Sequence, residues 1–120
     1  MTQEDKELLL KDLCARLPYG IKALYYGSEE ERKTWDEIES ITFDGYVDIG
    51  QYSLPIERIK PYLFPLSSMT KEQEKEWLYT LSSDYNITYD TVDWLNKNHF
   101  DYRGLIEKGL AIDATELNIY

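Results

Sequence analysis

The chain has 120 residues, with 23 acidic against 13 basic side chains and a net charge of −10. At this length one domain, 1–120, is expected, with enough chain to bury a core without staples. Its 42% hydrophobic content excludes a wholly disordered chain, its acidity disfavours direct nucleic-acid binding, and no apolar run approaches the ~20 residues of a membrane helix.

The polar, acidic start, Met1 to Lys6, lacks the basic character of a signal peptide. Cys14 is the only cysteine, so an intrachain disulfide is excluded. Together these place the protein in the cytoplasm.

Thr2, with Asp5 three residues on, predicts a capping box opening a helix from about residue 3 to about 16. Leu9, Leu13 and Leu17 recur at helical spacing, with Leu10 and Cys14 beside them. Cys14 therefore reads as a small buried hydrophobe. Pro18-Tyr19-Gly20 ends the helix.

Ile21 to Tyr26 reads as a strand, Gly27-Ser28 as a turn, and Glu29 to Lys33 as a solvated charge run. Trp35 to Phe43 is a second strand of irregular alternation. Asp44-Gly45 is a strong hairpin signal, followed by Tyr46 to Ile49 and, after Gly50-Gln51, by Tyr52 to Leu54. Ile56 and Ile59 suggest one helical turn. The expected fold class is α+β: the N-terminal helix, a small bent antiparallel sheet over 21–59 (an SH3-like barrel being one form of it), and C-terminal short helices.

Ile59 to Thr70 reads as a stiff strap between the β half and the α half, because Pro61 and Pro65 both disfavour helix. At least two of Tyr62, Leu63 and Phe64 should be buried, with Trp77 and Leu81 as partners. Thr70 and Gln73 form a second capping box, and Trp77, Leu78 and Leu81 the apolar stripe of the helix they open. Another short helix starts at Thr88 or Asp90. Asp101 is expected to cap a last one, Tyr102 to Lys108, before Gly109. Asp113 to Tyr120 reads as a loosely held tail.

Three phrases are distinctive: Lys6 to Gly20 (KELLLKDLCARLPYG), Ile59 to Thr70 (IKPYLFPLSSMT) and Asp93 to Ile106 (DWLNKNHFDYRGLI). They resemble a family of small uncharacterised proteins of gut Bacteroides genomes and their phage-like elements. The resemblance covers both ends and the middle of the chain, not Tyr25 to Ser53. It implies a kind of genome and no activity.

The only histidine, His99, lies near Asp101 and Arg103, a combination that could hold a general base. No recognised catalytic, phosphate-binding or metal-binding motif accompanies it, so a structural role is expected, and no catalytic residue, metal or cofactor. Asp90 and Asp93, one helical turn apart, read as a solvated or capping pair. Trp94, Phe100, Tyr102 and Arg103 are the interaction candidates, since aromatic residues and Arg dominate interface hot spots; plain core packing is their alternative. Two functions stay open. One is a small acidic, non-enzymatic module that binds another protein. The other is a DNA-mimic inhibitor of a nucleic-acid enzyme from a mobile element. A hydrolase is a third.

Overall fold

The computed structural model describes residues 1–26 and 33–120. The Gly27-Ser28 turn and the charge run from Glu29 to Lys33, all but its last residue, lie outside the described residues. The fold is α+β, built on one mixed sheet.

Helix α1 (Gln3–Arg16) opens as expected. The Thr2 hydroxyl accepts from the Asp5 N–H, and the Asp5 carboxylate accepts from the Thr2 N–H. The buried face differs from the leucine spacing. It carries Leu9, Asp12, Leu13 and Arg16, at i, i+3, i+4 and i+7, while Leu17 is half-buried and Cys14 exposed. The helix is turned toward its ion pair, which corrects the burial expected for Cys14.

Strands β1 (Lys22–Tyr26), β2 (Lys33–Ile41), β3 (Tyr46–Ile49) and β4 (Tyr52–Pro55) form an antiparallel meander. A register shift between Ile38 and Ser40 accounts for the irregular alternation of β2. Gly50, at φ 61°, turns β3 into β4; a Cβ there would meet the Tyr25 hydroxyl at 2.6 Å. A single 3-10 turn (Ile56–Arg58) then leads into the strap.

The first part of the strap is itself a strand, β5 (Ile59–Pro65), and an interior one; the rest begins with a 3-10 turn (Leu66–Ser68). It pairs antiparallel with β1 and parallel with β6 (Phe100–Asp101) and β7 (Ile112–Asp113). The sheet is therefore mixed rather than wholly antiparallel, and its path, β4-β3-β2-β1-β5-β6, does not close into a barrel. Prolines are rare in interior strands because they lack the ladder N–H. Here the parallel contacts use other groups: the Phe64 N–H donates to the His99 carbonyl, and the Leu63 carbonyl accepts from the Ala114 N–H.

Tyr62 and Leu63 are buried, as expected of the strap. Their partners are not those expected. Tyr62 clusters with Ala114 and Ile119, and Leu63 belongs to the main core with Leu9, Leu13, Ile21 and Ile59. Phe64 packs its ring on Phe100 and Tyr120. Helix α2 (Lys71–Thr80) instead packs on α3 (Tyr89–Lys97).

The expected last helix is absent. Tyr102 to Lys108 forms turns, because Gly104 sits at φ 75° and Asp101 folds the chain back, accepting from the N–H groups of Leu105 and Ile106. The tail is also held more firmly than expected. Ile119 is buried, and the Tyr120 hydroxyl accepts from the Lys22 N–H and donates to the Tyr62 carbonyl, both at 2.9 Å.

Leu63→Ala should lower stability by about 2–5 kcal/mol, the usual loss for a fully buried leucine. Phe43→Ala, at a side chain 101% exposed, should stay within about 0.5 kcal/mol of the parent. Urea melts of the two variants check this; equal midpoints would remove β5 from the core.

Candidate functional site

The four interaction candidates meet in one place. Trp94, half-buried on α3, stacks on Phe100 with centroids 5.6 Å apart and planes 8° from parallel. Phe100 is 1% exposed, a core residue that no partner reaches in the folded state. Tyr102 and Arg103 are half-buried. The Tyr102 hydroxyl donates to the Asn96 side-chain carbonyl at 2.8 Å, and its ring lies against the guanidiniums of Arg103 and Arg16.

Arg103 leads to a group that hydrophobic patterning missed. Its Nη1 donates to Asp12 Oδ1 at 2.7 Å. Arg16 donates to the same carboxylate from Nε at 2.8 Å and Nη2 at 3.1 Å, and Nη2 also donates to the Phe100 carbonyl at 2.6 Å. Asp12 and Arg16 are both fully buried. Arg16 Nη1 is buried without a partner. A buried ion pair is not in itself a source of stability, because desolvation offsets attraction. Its effect here is positional: it ties α1 to β6 and the loop after it. The Asp12–Arg16 spacing, i to i+4 beside Leu9 and Leu13, was the available signal.

His99 sits next to this group with its backbone at φ 64°. Its ring stacks on Tyr120 at 3.7 Å, and Nδ1 is buried without a hydrogen-bond partner. Burial, then the charges of Arg16 and Lys22, push its pKa down to about 4, so the ring is neutral at pH 7. The Asp101 carboxylate is engaged by the N–H groups of Leu105 and Ile106. Asp93 accepts from the Tyr19 hydroxyl, which holds that phenol's pKa up. Among the described residues no cluster of three or more His, Cys, Asp or Glu side chains could hold a metal ion, and no helix is long and apolar enough to cross a membrane.

A second surface lies on the helical hairpin. The Thr70–Gln73 capping box starts α2, yet none of its ten residues is buried. Leu78 is 50% exposed and Tyr79 90% exposed, and Tyr85, Ile87 and Tyr89 are exposed beyond them. Threonine hydroxyls help to close the hairpin. Thr88 Oγ1 donates to the Thr80 carbonyl at 2.8 Å, and Thr80 Oγ1 donates to Thr91 Oγ1 at 3.1 Å. Between α2 and the 3-10 turn before it (Leu66–Ser68) runs a groove of about 400 Å³, lined by Leu66, Met69, Glu74, Trp77 and Leu78. A helical stripe in the sequence suggests burial, and nothing in the spacing separates a stripe that packs from one left open.

Comparison of the chain with protein-family models, curated proteins and solved structures finds no match.

The neutral His99 gives a pH signature. Its folded pKa lies below the ordinary 6.5, so as pH falls the unfolded chain binds the proton first. This group's contribution to stability is therefore lost between pH 6.5 and about 4. Glu57, lowered by its bond from Lys6, acts below its ordinary 4.5. His99→Asn, which keeps a residue tolerant of positive φ, should flatten the decline between pH 6.5 and 4.5, even if it lowers stability throughout. Melts across that range check this; a variant with the parent's slope contradicts it.

Proposed function

We propose that this chain is a small, acidic, non-enzymatic module that binds another protein through the α2–α3 face. The observation that carries the reading is a ten-residue helix that buries none of its own residues, Tyr79 among them, with Tyr85, Ile87 and Tyr89 also in solvent beyond it. Helices this short draw most of their stability from packing an apolar face, and clustered exposed apolar side chains mark interaction sites. Tyrosine suits such a site, offering a large contact area with few rotatable bonds. The charge of −10 favours a basic partner surface. In this reading Trp94, Phe100, Tyr102 and Arg103 support the interface by fixing α3 to the body.

The charge, with Asp36, Glu37, Glu39 and Asp44 exposed along β2 and its turn, also favours the DNA-mimic reading. One experiment separates the two. The parent and a Tyr79→Ser/Tyr85→Ser/Tyr89→Ser variant are immobilised and exposed to an extract of the native host, with and without competing double-stranded DNA. The proposal expects proteins that the parent retains, the variant loses and DNA does not displace. Proteins that DNA displaces, and that both chains hold equally, support mimicry instead. Identical retention on both chains, indifferent to DNA, contradicts both readings.

A further inference from the structure

The groove beside α2 has a shape and a charge that together describe its occupant. Its walls are set by local structure. The Thr70 cap fixes the phase of α2, which places Glu74, Trp77 and Leu78 (i, i+3 and i+4) on one face. The opposing wall, Leu66 and Met69, is held by the Ser68 hydroxyl donating to the Pro65 carbonyl at 2.7 Å and by the Met69 N–H donating to the Leu66 carbonyl at 3.2 Å. The volume of about 400 Å³ falls within the range of about 300–1,000 Å³ in which pockets hold ligands.

Glu74 is the charged residue of this lining, and among the described residues it forms no ion pair. Glu72 and Glu76 flank it on α2, against Lys71 and Lys75. Covering the groove withdraws the Glu74 carboxylate from water, which is unfavourable unless a cation meets it. A second copy of this chain would bring another surface of net charge −10, the wrong sign.

Resting on the protein-binding reading above, we infer that the groove takes one large apolar side chain of a basic polypeptide segment, with a Lys or Arg of that segment paired to Glu74. The apolar anchor fills the space between Met69 and Leu78. The cation neutralises the carboxylate that the anchor covers. Specificity then comes from the sign of the charge as much as from the apolar contact, because an acidic segment with the same anchor leaves two carboxylates facing one another.

The test uses the full chain and a phage-displayed library of random peptides, followed by fluorescence anisotropy on synthetic copies of those selected. The expected peptides combine a large aliphatic or aromatic residue with Lys or Arg. Leu78→Glu and Glu74→Lys should each weaken them by about tenfold or more, and a fresh selection on Glu74→Lys should return acidic peptides. Circular dichroism checks that both variants keep their helices. If Leu78→Glu loses α2, the charge-reversed selection still decides, since Glu74→Lys changes an exposed side chain. The inference is overturned if the peptides bind both variants as tightly as the parent, or if the Glu74→Lys selection again returns basic peptides. Peptides that depend on Tyr79, Tyr85 and Tyr89 but not on Leu78 and Glu74 overturn the groove and leave the protein-binding reading standing. Peptides that depend on neither set, or no enrichment at all, overturn both.

Discussion

The fold depends on the hydrogen-bonding obligations of one strand. An interior strand must pair its main-chain groups on both edges, and β5 has only short segments to pair with. The ladder with β1 runs from Tyr25–Ile59 to Ala23–Pro61. The next pair in register would be Lys22 with Tyr62, and there the Tyr120 hydroxyl stands between them, accepting from one and donating to the other. Beyond it β7 pairs with Tyr62 and Leu63, and β6 with Phe64 and Pro65. Seven residues thus gather the meander, the loop after α3 and the last residues of the chain.

The second constraint is electrostatic. Asp12 is shared by two guanidiniums, one fully buried on its own helix and one arriving from the loop after β6. Removing the carboxylate would leave two cations facing each other, one without water, which is why such groups are costly to break even where their net contribution is small. The same network brings Arg16 to the Phe100 carbonyl, and so fixes β6, the parallel partner of β5. The two constraints therefore meet at Phe100, which explains how strands of two residues hold their register.

Much of this architecture was legible in the sequence, where local chemistry decides local structure. Both capping boxes, the Asp44-Gly45 turn and the proline-stiffened strap appear where residue type and spacing put them. What was not legible depends on distant partners. The burial of Asp12 and Arg16 rests on Arg103 and the Phe100 carbonyl, which are distant in sequence, and the leucine spacing alone put Cys14 on the wrong side of α1. Parallel pairing leaves no mark in segments as short as Phe100–Asp101. Tyr102 to Lys108 has a helical composition, but Gly104 holds a backbone conformation no helix interior accepts. At the candidate site, the aromatic residues near His99 lie together in space, yet Phe100 is core. The exposed tyrosines of the hairpin carried no signal, because exposure is set by the absence of a neighbour.

The result is a molecule of two tiers. A body built around β5 is closed by apolar packing and a buried ion group, and a helical hairpin, anchored to it by Trp94 and Leu95 of α3, leaves Leu78, Tyr79, Tyr85, Ile87 and Tyr89 in water. Amide hydrogen exchange under native conditions measures this division directly, since each amide reports the free energy of the opening that exposes it. The Phe64 and Ala114 N–H groups, bonded to the His99 and Leu63 carbonyls, should exchange only through global unfolding. The amides of α2 from Trp77 to Thr80 should exchange through a smaller opening that leaves the body folded. Protection in α2 equal to that of Phe64 would contradict the account, placing the hairpin inside the cooperative core.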